Sequence, residues 1–111
     1  SLEILNLSNN SLGGVIPQCL VNFSNKLSVL DLRMNHFHGA IPATFTGGNQ
    51  LRNLGLNGNQ LEGLVPRTLV NCRQLQVLDL GNNKLSGIFP NWVESLPELR
   101  ILVLRSNRFT G

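Results

Sequence analysis

The stretch Leu51-Arg52-Asn53-Leu54-Gly55-Leu56-Asn57-Gly58-Asn59-Gln60-Leu61-Glu62-Gly63 decides how this chain folds. Leu54 and Leu56 alternate with Asn53, Gly55 and Asn57, the period-two pattern of a short strand with one buried face. Asn59 stands where that alternation stops, and Gly63 closes the stretch. The same pattern, L-x-x-L-x-L-x-x-N-x-L/F-x-G, starts at Leu2, Leu27, Leu51, Leu75 and Leu99, at intervals of 25, 24, 24 and 24 residues. Repetition at this period marks a stacked array, because one unit alone is too small to bury its apolar face.

Each column of the repeat has a physical role. Leu5/Leu7, Leu30/Leu32, Leu54/Leu56, Leu78/Leu80 and Leu102/Leu104 are expected to point inward. Successive strands then run parallel, since every unit returns in the same direction. The column Asn10, Asn35, Asn59, Asn83 and Asn107 falls where the chain leaves the strand. There a carboxamide can satisfy backbone groups that the bend leaves unpaired, and stacking extends this into a ladder. The glycines at 14, 39, 63, 87 and 111 suit a tight return. The units are 2–26, 27–50, 51–74, 75–98 and a short 99–111. None has the polar outer face of a capping repeat, so the chain reads as an internal piece of a longer array.

Composition agrees. Aromatic residues are 5% of the 111, and charged residues 14% against the usual quarter, as an aliphatic stack would have. The net charge of +3 is spread from Lys26 to Arg108 without a basic run, which gives no support to nucleic-acid binding. No run of about 18 apolar residues is present to cross a bilayer, and no stretch reads as a secretion leader, so the protein is expected either to be soluble or to have its signal and anchor outside this piece.

After each glycine comes V-I-P, A-I-P, L-V-P or I-F-P, which puts Pro17, Pro42, Pro66 and Pro90 in one column. This resembles the plant-specific leucine-rich repeat, with its L-x-G-x-I-P consensus, over the whole chain. The resemblance implies an α/β solenoid, a horseshoe or superhelix. A short parallel sheet would line its concave face, with a second short strand at the G-x-I-P segment and a 3₁₀ or irregular convex side. Ala43-Thr44-Phe45-Thr46-Gly47-Gly48 suits such a helix-poor turn.

The array places the chemically active side chains. Cys19 and Cys72 fall in different columns two repeats apart, about 10 Å, too far for a disulfide. They are expected free and buried or half-buried. His36 and His38 flank the inward Phe37, and no third or fourth ligand accompanies them for a metal. Asp31 and Asp79 share a column two strands apart, about 9.6 Å, near the spacing of inverting glycosidase carboxylates. An open sheet has no cleft to exclude water or raise a pKa, so a binding role is favoured over catalysis. Neither an enzyme nor a cofactor is expected.

The solvent-facing strand positions vary between repeats while the inward leucines do not, and solenoids use such a surface for binding. The candidate ligand-binding residues are Val29, Asp31, Arg33, Met34, Asn53, Gly55, Asn57, Val77, Asp79, Val103 and Arg105. Gly55, Gly58 and Gly81 would leave a bare strip where a peptide backbone could approach. Three N-x-S/T sequons, at Asn6, Asn9 and Asn22, are candidate glycosylation sites, Asn22 on the convex side.

Leu27-Ser28-Val29-Leu30-Asp31-Leu32-Arg33-Met34-Asn35, Leu69-Val70-Asn71-Cys72 and Phe89-Pro90-Asn91-Trp92-Val93 are similar to the plant receptor-like proteins. That resemblance implies an extracellular, apoplastic segment of a plasma-membrane-anchored parent without a kinase domain. It would bind a peptide, protein or glycan and signal through partner receptor kinases, in immunity or development. Two other classes fit a repeat array: a secreted inhibitor of a microbial wall-degrading enzyme, and an ice-binding protein. The latter needs a flat, regular Thr- or Asn-rich face, whereas these columns mix Asp, Gly, Val and Arg.

Overall fold

The computed structural model describes residues 3–22 and 26–110. The L-x-L segments form β1 (Ile4–Asn6), β3 (Val29–Asp31), β5 (Asn53–Gly55), β7 (Val77–Asp79) and β9 (Ile101–Val103). They pair in parallel in the order β1-β3-β5-β7-β9, with Leu30, Leu54, Leu78 and Leu102 in register. Every second residue turns inward, so Leu30, Leu54 and Leu78 are buried, as are Leu32, Leu56 and Leu80 just beyond the strands.

A second parallel sheet holds β2 (Gly13–Val15), β4 (His36–Gly39), β6 (Gln60–Gly63), β8 (Lys84–Ile88) and β10 (Arg108–Thr110). Its strands lie mainly ahead of the G-x-I-P segment rather than on it. The x-L/F-x residues supply the alternation, since Phe37 is buried between exposed His36 and His38. At Gly39 (φ +77°) and Gly63 (φ +83°) the strands stop and the chain turns. The prolines that follow have no N–H to donate to a ladder. Among the described residues, β2 and β8 alone continue through their glycine into the next residue.

The convex side is built of 3₁₀ turns, η1 (Gln18–Asn22), η2 (Arg67–Asn71) and η3 (Asn91–Ser95), with an irregular passage over 43–48 in the second repeat. Side chains tie neighbouring turns together. Thr68 Oγ1 donates to the Ala43 carbonyl at 3.0 Å, and Asn71 Nδ2 to that of Phe45 at 2.8 Å. Between sheets and turns, Phe37, Leu61 and Leu85 meet Phe45, Leu69 and Val93 in one continuous apolar core.

The asparagine column closes the bends of the first sheet. Asn59 Oδ1 accepts from the Phe37 amide at 3.1 Å, while its Nδ2 donates to the carbonyls of Leu32 and Leu56 at 3.0 and 3.1 Å. Asn35 bonds Leu12 N–H and the Leu7 and Leu32 carbonyls in the same way, and Asn83 and Asn107 repeat the arrangement. Each carboxamide therefore joins its own repeat to the one before. Just ahead of it, Asn9, Met34, Gly58, Asn82 and Ser106 all have φ between +52° and +77°. This left-handed step turns their amides so that they continue the parallel ladder, as when Met34 N–H meets the Asn57 carbonyl at 2.8 Å.

Candidate concave binding face

The outward residues of β1, β3, β5, β7 and β9, with those that follow each strand, make one face of the stack. Its first column is Ile4, Val29, Asn53, Val77 and Ile101, with Ile4 and Ile101 well exposed and the three between half-buried. The second column holds Asn6, Asp31, Gly55, Asp79 and Val103. The third holds Ser8, Arg33, Asn57, Gly81 and Arg105.

Two of the candidate residues, Asp31 and Arg33, engage each other. Asp31 is only 8% exposed. Its carboxylate accepts from Arg33 Nε and Nη2, both at 2.9 Å, and from the Arg33 amide at 3.1 Å. The Arg33 hydrogen bond holds the Asp31 carboxyl below its ordinary range, against the opposing effect of burial. A general acid needs the reverse, a pKa raised towards neutrality. Arg33 is half exposed and its guanidinium pKa is raised by the same bond.

The expected bare glycine strip is covered as well. A Cβ on Gly55 would stand 3.1 Å from Arg33 Cγ and 3.2 Å from Asp31 Oδ1. One on Gly81 would meet Asn57 Nδ2 at 2.8 Å and Val103 Cγ1 at 3.1 Å, and one on Gly58 would collide with Met34 Sδ. The missing side chains are thus shelves on which Arg33, Asn57 and Met34 lie. Strands about 4.8 Å apart bring each residue against the same column of the next repeat, so a glycine is filled from beside it.

Beyond that shelf a polar relay crosses the face. Asn82 Nδ2 donates to Asn57 Oδ1 at 3.1 Å, and Asn57 Nδ2 to Asp79 Oδ1 at 2.8 Å. The Gly81 amide also reaches Asp79, at 3.3 Å. Arg105 is exposed and has no ion-pair partner among the described residues. Val77, Val103 and Arg105 therefore present groups with unspent contact capacity, whereas Asp31, Gly55 and Gly81 underlie the surface. Within the first sequon, Asn6 Oδ1 accepts from Ser8 N–H and Oγ at 3.0 and 2.7 Å. Asn6 and Asn9 are both exposed, and Asn22 with Phe23 and Ser24 lies outside the described side chains.

The remaining candidates stand apart from this face. Cys72 is fully buried, and burial pushes its thiol up to about 11 despite a bond from Asn49. Cys19 is exposed, not the half-buried residue expected, because η1 turns it outward while Leu20 and Val21 face the core. Among the described residues no group of three or more His, Cys, Asp or Glu could hold a metal, and no helix is long and apolar enough to cross a membrane.

Leucine-rich repeat family profiles match residues 25–76 and 49–109, and a further one matches residues 1–23. Receptor-like protein 6 of Arabidopsis thaliana is 48% identical over 48 residues, which is 43% of this chain and 5% of that protein. Receptor-like protein 53 of the same plant is 45% identical over 42 residues, 38% of this chain and 4% of its own. The chain thus spans about one-twentieth of the length of these curated relatives. Among solved structures, the plant peptide hormone receptor RGFR1 in complex with RGF2 superposes with a TM-score of 0.92 at 37% identity, over 97% of this chain and 17% of that one. The ectodomain of the receptor kinase SOBIR1 from Arabidopsis thaliana gives 0.87 at 37%, over 98% and 60%.

Proposed function

The chain belongs to the leucine-rich repeat family, in its plant receptor-like branch, and from that premise we propose that it is a ligand-recognition segment of a cell-surface receptor ectodomain. It faces the apoplast as part of a plasma-membrane-anchored parent, binds a peptide, protein or glycan on the concave face, and signals through partner receptor kinases. Its role is binding rather than catalysis, as the low-lying Asp31 carboxyl and the open sheet favour.

The observation that carries this reading is the division of labour between the two faces of one sheet. Inward positions are leucine in every repeat, while the outward ones change from Val77, Asp79 and Gly81 to Ile101, Val103 and Arg105 across one step. A surface released from packing yet kept free of glycine gaps by Arg33, Asn57 and Met34 has the continuity that an extended ligand needs. Relatives of known architecture are consistent with it, since the RGFR1 structure holds the peptide RGF2.

The test is a screen of the chain against a random peptide library and an array of plant and microbial wall oligosaccharides. Ligands found this way should lose at least tenfold in affinity to Val77→Glu combined with Arg105→Glu, with circular dichroism unchanged. Binding that survives both substitutions would place recognition away from the concave face.

A further inference from the structure

The concave face is not the only surface with unspent capacity. Where the chain leaves the second sheet, the residue after each repeat glycine is apolar and exposed: Val15, Ala40, Leu64 and Ile88. Val15 is 56% exposed, Leu64 68% and Ile88 77%. Ala40, Leu64 and Ile88, with buried Ile41, Pro66 and Pro90, line a groove of about 590 Å³ on the flank of the stack. That volume lies within the range of ligand pockets. Trp92 and Arg67 also line it.

Two features select the occupant. The lining is chiefly aliphatic, so a sugar would leave its hydroxyls without partners there, at a cost for each. An apolar side chain would instead remove Leu64 and Ile88 from water, at roughly 25 cal/mol per Å² covered. The charge is one-sided as well. Arg67 is exposed with no ion-pair partner among the described residues, and neither Glu62 nor Glu94 lines the groove. A second copy would bring another chain of net charge +3 against it. We propose that this flank groove docks an acidic peptide segment of a partner protein. One apolar side chain of that segment seats between Leu64 and Ile88, with an adjacent carboxylate on Arg67. This surface is separate from the concave face, so a receptor could hold its ligand on one and its partner on the other.

Trp92 is the only tryptophan of the chain, and there is no tyrosine, so its fluorescence reports the groove directly. The probes are the acetylated, amidated hexapeptide Glu-Asp-Leu-Leu-Asp-Glu and its counterpart with lysine at each acidic position. The acidic peptide should shift the Trp92 emission saturably and bind at least tenfold more tightly than the basic one. Arg67→Glu should invert that preference, and Leu64→Ser with Ile88→Ser should abolish both responses; all three residues are exposed, so the fold is kept. No saturable shift, equal binding of the two peptides, or a preference unchanged by Arg67→Glu would overturn the proposal. So would an emission shift that follows the concentration of the chain alone, which means a second copy, or one produced by trigalacturonate and not by the acidic peptide.

Discussion

At the scale of single residues, the asparagines matter more than their polarity suggests. Asn59 is buried; it accepts from the Phe37 amide and shares the Leu32 and Leu56 carbonyls with Asn35 and Asn83, the next members of the ladder. Asn59→Ala should therefore cost about 1–3 kcal/mol, since it strips the buried Phe37 amide of its side-chain acceptor and thins the ladder. Asn10 is exposed and its side chain donates to the Leu7 and Ser8 carbonyls, which water can serve, so Asn10→Ala should cost less than about 1 kcal/mol. Urea unfolding measures both, and equal losses would remove the ladder from the account of stability. The column was legible because a polar residue recurring at the end of a strand pattern has a backbone to satisfy. The roles of Gly55, Gly58 and Gly81 were not. A sequence shows that a side chain is missing, but not that Arg33, Asn57 or Met34 from the adjoining repeat will lie across the gap.

Single elements divide in the same way. The strands of the first sheet were readable in place and face, because alternation and burial coincide there, although each ends one residue before the second leucine of L-x-L, which is buried all the same in the three middle repeats. The second sheet began earlier than the G-x-I-P motif implied, since x-L/F-x and not proline can join a parallel ladder. The 3₁₀ turns illustrate what a short element decides. Turn η1 carries Cys19 outward, whereas Cys72, the residue that caps η2, sits in the core against Asn49. With its thiol raised to about 11, Cys72 has almost no thiolate at pH 8 and no access for a reagent. Iodoacetamide at that pH should label Cys19 within minutes, and Cys72 only once denaturant opens the turn, as mass spectrometry of the digested protein would show. Rapid native labelling of both would contradict this packing of η2.

For the whole molecule, stability is shared along the stack, because each repeat contacts chiefly its neighbours and no unit closes a core alone. Leu54 is buried in the middle strand with Leu30 and Leu78 in register on either side. Leu54→Asp would place an unpaired charge at that point and should abolish the fold, seen as lost circular dichroism and rapid proteolysis; a stable variant would refute the register. The sequence by itself determined the repeat, the inward leucines, the asparagine column and the two-faced sheet. Period and register are local patterns, and five copies repeat them without ambiguity. Only the tertiary structure decided which outward residues remain available to a ligand. Asp31 and Asp79 are identical in sequence context, L-D-L, yet the first is gripped by Arg33 and the second by Asn57. Whether an exposed column is spent or free depends on the side chains one strand away, and the exposed flank of Leu64 and Ile88 emerged only when those neighbours were in place.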